Sequence, residues 1–201
     1  MLKQNTNLKE VQSSLGSLIS ILPVSPNQWT LLSIVFALVA GMFIALNNDL
    51  VFGLAFFVIA AICDALDGAV ARAKDQITPF GGFLDGVADR FVEATFLLSF
   101  MFYPLPTIYI FAPIWIAILV FMGSMPSFIR AYADHTGAIT REKALALGGI
   151  CERSERILIL VTGLAVGLIY SMEFFVYAII LAALLSFVTC IQRIYQIKYS
   201  S

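Results

Sequence analysis

Charge is scarce in this chain: Asp, Glu, Lys and Arg together make up 12% of its 201 residues, while 60% are hydrophobic. That shortage excludes a soluble domain of ordinary composition. Histidine is nearly absent too. The one copy, His135, falls in a polar turn after the fourth apolar segment and reads as a solvated surface residue rather than a catalytic base. The three cysteines, Cys63, Cys151 and Cys190, lack the paired spacing of zinc ligands and lie in or near apolar segments, so they read as small packing residues with no disulfide needed. The chain has no long repeat, no low-complexity tract and no separate soluble domain, and no nucleic-acid partner is expected.

What is present is a series of long apolar runs. About 20 apolar residues are needed for one membrane crossing, and six segments qualify, at about 28–47, 50–71, 83–102, 106–127, 148–170 and 173–192. The expectation is an all-α integral membrane protein, a six-transmembrane-helix bundle whose short turns make neighbours antiparallel. All 12 lysines and arginines fall at one set of segment ends, whereas the alternate turns Asn47-Asn48-Asp49, Tyr103-Pro104-Leu105-Pro106 and Tyr170-Ser171-Met172-Glu173 contain none. The positive-inside rule therefore makes both termini and the charged half cytoplasmic. Ahead of the first crossing, Leu8, Val11, Leu15, Leu18, Ile19 and Leu22 recur at helical spacing. They suggest an N-terminal interfacial amphipathic helix over 1–24, followed by a membrane domain over 25–201. A soluble arm packed on protein would carry the same pattern. A cleavable signal peptide is not expected, because the apolar face is interrupted and a full crossing follows.

Against this background four aspartates stand out: Asp64, Asp67, Asp85 and Asp89 lie inside otherwise apolar sequence. A carboxylate near the middle of a membrane helix costs roughly 2.5 to 3.5 kcal/mol on insertion scales. Four together imply a polar cavity holding something positive. Two divalent cations would balance them, and carboxylate oxygens are the ligands that hard cations such as magnesium accept. At 3.6 residues per turn Asp64, Asp67, Gly68 and Ala71 share a helix face that Arg72 continues, and Asp85 and Asp89 are one turn apart on the next helix. A hairpin turning through Pro79-Phe80-Gly81-Gly82 would bring both pairs to one depth. Small residues at Gly68, Ala71 and Gly81 would let a bulky polar ligand approach the backbone. Capping accounts for single aspartates and packing for single glycines, but neither accounts for carboxylates well inside two helices.

Asp64-x2-Asp67-Gly68-x2-Ala71-Arg72-x8-Gly81-x3-Asp85-x3-Asp89 resembles the full signature of the CDP-alcohol phosphatidyltransferases. The resemblance covers essentially the whole chain. It implies a six-helix membrane core, commonly a homodimer, with a cavity facing the cytoplasm. A CDP-linked lipid would donate its phosphatidyl-type group to an alcohol and release CMP. Two Mg2+ ions, with Mn2+ as a possible substitute, would be held by Asp64, Asp67, Asp85 and Asp89, and Asp89 would also take the proton of the attacking hydroxyl. The same resemblance assigns Gly68, Arg72, Thr78 and Gly81, together with Asn27, Gln28, Trp29 and Thr30, to the CDP-lipid. Gln28 and Trp29 also suit a plain helix start and an interfacial anchor.

For the acceptor, Arg130 and the run Glu152-Arg153-Ser154-Glu155-Arg156 look like the inositol-phosphate-using branch of that family. The branch implies an acceptor phosphate pocket at Arg130, Arg156 and Arg193, with Arg153 counted among them. Arginine suits such a pocket because its planar fork binds phosphate oxygens bidentately. Tyr132 departs from the branch, standing where another basic residue is common. The expected donor is CDP-diacylglycerol or CDP-archaeol and the expected acceptor inositol phosphate. Glycerol phosphate, serine or a CDP-inositol donor are alternatives within the class. A cation transporter is an alternative outside it, disfavoured because the polar residues crowd one half of the membrane.

Overall fold

The structure, a computed structural model, describes residues 23–200. The expected interfacial helix falls almost wholly on residues outside those described. Among the described residues the chain is all-helical, with an isolated bridge between Ile108 and Ile110 and no strand. It divides into two compact units, one ending at Tyr103 and the other beginning at Pro104.

The first unit holds α1 (Pro26–Asn47), α2 (Leu50–Ala73) and α3 (Pro79–Ser99), with a 3-10 turn at Phe100–Phe102. Each start has a local cause. Ser25 caps α1 in a capping box with Gln28, and Pro26 occupies the first turn, where its missing N–H costs nothing. Asp49 caps α2 through the N–H groups of Val51 and Phe52, directly after Asn48 ends α1 in the left-handed conformation. That two-residue connection makes α1 and α2 a tight helical hairpin, zipped by stacked rings of Phe43 on Phe52 and Phe56 and of Phe36 on Phe56. Phe57 of α2 stacks on Phe96 of α3, both fully buried.

The second unit holds α4 (Ala112–His135), the short α5 (Arg141–Ala146), α6 (Arg153–Ile169) and α7 (Glu173–Ser200). Helix α7 packs against both α4 and α6. Pro126 lies inside α4 and is buried. Because proline has no N–H, the Met122 carbonyl one turn back loses its helical donor. The Cys190 thiol of α7 supplies a weak replacement, with Sγ 3.9 Å from that oxygen.

The helices are inside-out by the standard of a soluble bundle. On α1, Leu31, Val35, Leu38 and Met42 face outward, while Ser33, Ala37, Ala40 and Gly41 face the packed interior. Large apolar residues turned outward and small ones inward are the arrangement lipid solvent favours, since close backbone approach rather than oil-drop burial holds such helices together. Among the described residues α1, α2, α4 and α7 are long and apolar enough to span a bilayer.

Several expected boundaries move. The third expected crossing corresponds to α3, long enough at 21 residues but carrying Asp85, Asp89, Arg90 and Glu93. The fifth corresponds to α6, of only 17 residues, which starts at Arg153 rather than 148 because Gly148 and Gly149 remain outside the helix. The fourth starts at Ala112 rather than 106 and runs on to His135. Pro79-Phe80-Gly81-Gly82 is not the hairpin turn. It is the first turn of α3, capped by Thr78, and the reversal is made by Lys74–Ile77, where Asp75 takes a positive φ.

At Gly163 of α6 a methyl group would collide with the Ala178 Cβ of α7, a group with no rotamer to move aside. Gly163→Ala should therefore force these helices apart and lower stability by about 1 to 3 kcal/mol. Thermal unfolding in detergent should detect the loss, and the double variant Gly163→Ala/Ala178→Gly should recover most of it.

Candidate active site

One end of the first unit gathers its polar residues from three helices. One carboxylate oxygen from each of Asp64 on α2 and Asp85 and Asp89 on α3 lies within 4.8 Å of the others. The one-turn spacing of Asp85 and Asp89 aligns them on α3, and the packing of α2 against α3 carries Asp64 to them. At this separation two full negative charges repel by about 3.5 kcal/mol at an effective dielectric of about 20. Positive charge is therefore required. Arg90 supplies part of it, its Nη1 donating to Asp89 Oδ2 at 2.9 Å and to the Gly86 carbonyl at 3.1 Å. The three converging oxygens are also the donor set that a hard divalent cation accepts.

Asp67 stands apart from this trio. It is buried, at 5% exposure, and accepts a 2.5 Å hydrogen bond on Oδ2 from the Thr30 hydroxyl of α1. Thr30 is itself 2% exposed. The contact joins α1 to the aspartate face of α2 by matching a buried acceptor to a donor.

The residues expected around the nucleotide are split by the structure. Thr78 Oγ1 accepts from the Gly81 N–H at 3.0 Å, and a Cβ on Gly81 would stand 3.1 Å from Thr78 Oγ1 and 3.4 Å from Asn27 Oδ1. Asn27, Thr78 and Gly81 thus meet where α3 begins, and only glycine leaves that space open. The Arg72 guanidinium lies back along α2 over Gly68, with Nη1 3.4 Å from where a Cβ would be. Gln28 is committed locally, its Oε1 accepting from the Ser25 N–H at 2.7 Å. Trp29 is half-buried, with its indole N–H shielded from solvent and bonded to nothing among the described residues.

The acceptor arginines belong to the second unit. Arg156 and Arg193 are buried, at 3% and 5% exposure, while Arg130 and Arg153 are half-buried. Arg193 donates from Nη1 to the Pro126 carbonyl at 2.5 Å and pairs through Nη2 with Glu152 at 3.6 Å. The Arg156 guanidinium packs on Gly123, where a Cβ would come within 3.1 Å of its Nε. Buried arginines of this kind are expensive in apolar surroundings unless anions or carbonyls face them.

Sequence reasoning treated Arg90 and Lys74 only as markers of membrane orientation. Arg90 turns out to hold Asp89, for which its position next to that aspartate was an available signal. Lys74 Nζ donates to the Val24 carbonyl at 2.9 Å and ties the approach to α1 to the turn after α2. The pairing of Glu152, named above only as part of its run, and the contacts of Thr189 and Gln192 emerge from the structure, and no spacing rule points to the last two.

Helices long and apolar enough to span a bilayer, a convergent carboxylate trio in the first unit and two buried arginines in the second mark a membrane enzyme. The CDP-alcohol phosphatidyltransferase family model matches residues 23–191, and the chain belongs to that family. It is 34% identical over 198 residues to the archaetidylinositol phosphate synthase of Pyrococcus horikoshii, covering 98% of this chain and 95% of the relative. The phosphatidylinositol phosphate synthase of Mycobacterium tuberculosis, solved with CDP-DAG bound, shares the fold at a TM-score of 0.76 with 22% identity, covering 95% of each chain. The same enzyme in complex with manganese and citrate also aligns at 0.76 with 22% identity, covering 94% of this chain and 90% of that one.

Thr30→Val preserves side-chain shape but leaves the Asp67 carboxylate buried without its hydroxyl donor. The cost should be about 1.5 to 3 kcal/mol, that of a hydrogen bond to a charged group. A fall in the unfolding midpoint of the detergent-extracted protein measures it, and Thr30→Ser, which keeps the donor, should lie close to wild type.

Proposed function

We propose that this protein transfers the phosphatidyl-type group of a CDP-lipid, CDP-diacylglycerol or CDP-archaeol, to a hydroxyl of inositol phosphate and releases CMP. The observation that carries the reading is the convergence of Asp64, Asp85 and Asp89 within a chain bearing every position of the family signature. The acceptor is supported by the full-length likeness to an archaetidylinositol phosphate synthase and by the arginines of the second unit, two of them buried.

In the reaction the acceptor oxygen attacks the lipid-side phosphorus, the bond from that phosphorus to the CMP oxygen breaks, and the acceptor proton leaves to a base. Asp89 is that base. Its contact with the Arg90 guanidinium at 2.9 Å orients it, and an alcohol, a poor nucleophile at neutral pH, needs such a group within hydrogen-bond reach. Asp64, Asp67, Asp85 and Asp89 would hold two Mg2+ ions, or Mn2+ in their place, and the metal would supply positive charge that lowers repulsion between nucleophile and pyrophosphate and stabilises the departing CMP. Thr30 steadies Asp67 for this task. Asn27, Thr78 and Gly81 border the CDP group, Arg72 meets its phosphates, and Gly68 keeps the face of α2 open. Gln28 contributes through the cap that starts α1, and Trp29 contributes to the lipid pocket.

Arg130, Arg153, Arg156 and Arg193 receive the phosphate of the acceptor. A dianion offsets the cost of crowding several cations, which a free alcohol does not. The surrounding arrangement is a homodimer in the cell membrane, with α3 and α6 as the remaining two of six crossings and the site open to the cytoplasm. The confinement of basic residues to one set of helix ends supports this orientation.

Asp64→Asn, Asp67→Asn and Asp85→Asn should each abolish CMP release while leaving extractable protein, and chelation should do the same until Mg2+ is restored. Normal turnover in any of these, or full activity in chelator, would contradict the metal assignment. Asp89→Asn should keep CDP-lipid binding and lose transfer.

The acceptor is tested by steady-state CMP release with inositol phosphate, free inositol, glycerol phosphate and serine at saturating CDP-lipid. Inositol phosphate should be preferred. Arg156→Gln should raise the KM for inositol phosphate about ten- to a hundredfold with little change in the KM for CDP-lipid, as expected for charge-assisted hydrogen bonds. Preference for a free alcohol in wild type would overturn the inositol-phosphate assignment.

A further inference from the structure

We infer that Thr189 and Gln192 of α7 are positioning residues for the acceptor arginines, because they fix the loop from which α6 starts. The inference rests on the acceptor assignment above and extends it to residues that touch no substrate.

The loop at 147–152 separates α5 from α6, and α6 has no side-chain cap of its own: Glu152 occupies the N-cap position without a capping hydrogen bond. What fixes the start of α6 is α7. The Ile150 N–H donates to Gln192 Oε1 at 3.0 Å, and the Cys151 N–H donates to Thr189 Oγ1 at 3.0 Å. Thr189 is fully buried, and its hydroxyl also faces the carbonyls of Leu185 at 2.9 Å and Cys151 at 3.3 Å. Its one proton thus faces two carbonyls, and one of its two lone pairs accepts from the Cys151 N–H. Gly149 explains the closeness of the approach, since a Cβ there would overlap the Thr189 side chain.

Residues 189, 192 and 193 follow at i, i+3 and i+4 and so share one face of α7. The third of them, Arg193, pairs with Glu152, the next residue of the same loop. Four consecutive loop residues, Gly149 to Glu152, are thus held by that face. Glu152 in turn accepts the Arg156 N–H through its carbonyl at 3.0 Å, and Arg153 directly follows it. Displacement of the loop reaches both arginines through one backbone turn. Thr189 and Gln192 therefore set where Arg153 and Arg156 stand, while Arg193 is held on the same face.

The test compares wild type, Thr189→Val, Thr189→Ser and Gln192→Leu in CMP-release kinetics, varying inositol phosphate and CDP-lipid in turn. Thr189→Val keeps the shape and removes the hydroxyl. It should raise the KM for inositol phosphate about five- to tenfold while the KM for CDP-lipid stays within about twofold, and Thr189→Ser should restore the acceptor constant. Gln192→Leu, less buried and safer for folding, should move the same constant in the same direction and decides the matter if Thr189→Val does not fold. Equal use of inositol phosphate and free inositol by wild type would defeat the acceptor reading before any variant is compared. If wild type requires the phosphate and the variants keep its acceptor constant, or if both constants rise together, the acceptor reading stands and the positioning role is overturned.

Discussion

An ionised group in apolar surroundings has to be answered by an opposite charge or a hydrogen-bond partner, and this requirement organises both units of the protein. Removing a carboxylate or guanidinium from water costs several kcal/mol even after relaxation. The chain nonetheless sets Asp64, Asp67, Asp85 and Asp89 on helices with large apolar residues outward, and buries Arg156 and Arg193. Asp89, Asp67 and Arg193 are answered by different devices. Arg90 pairs with Asp89, Thr30 donates to Asp67, Glu152 pairs with Arg193, and the Pro126 carbonyl accepts from Arg193.

Those devices in turn explain features of the helices that propensity alone leaves odd. A proline inside α4 is unfavourable for the helix, yet it leaves the Met122 carbonyl without its helical donor beside buried polar groups of α7. Glycines at 123 and 149 make room for the Arg156 guanidinium and the Thr189 side chain. The start of α6 has no side-chain cap, and α7 instead holds the loop just before it through the N–H groups of Ile150 and Cys151. Stability and site geometry are the same set of contacts here.

Much of this was legible in advance. The bounds of α2 follow closely from apolar run length, and Asp85 and Asp89 fall together by their four-residue separation alone. The errors came where local chemistry competed with hydropathy. Pro79 to Gly82 reads as a turn by composition, but Thr78 caps a helix there and Pro79 is welcome in its first turn. The stretch from 148 fails to extend α6 forward because Gly149 serves a close approach to Thr189 of α7.

By itself the sequence determined the family, the helical class, the membrane character and the identity of the aspartates, because hydrophobic run length and residue spacing along one helix are local properties that need no partner. Only the tertiary structure decided which carboxylates meet. Asp64 joins Asp85 and Asp89 across two helices while Asp67, one turn from Asp64, turns to Thr30. It alone decided as well that Thr189 and Gln192 hold the loop before α6, since such contacts arise from the packing of side chains and no periodicity in the chain encodes them.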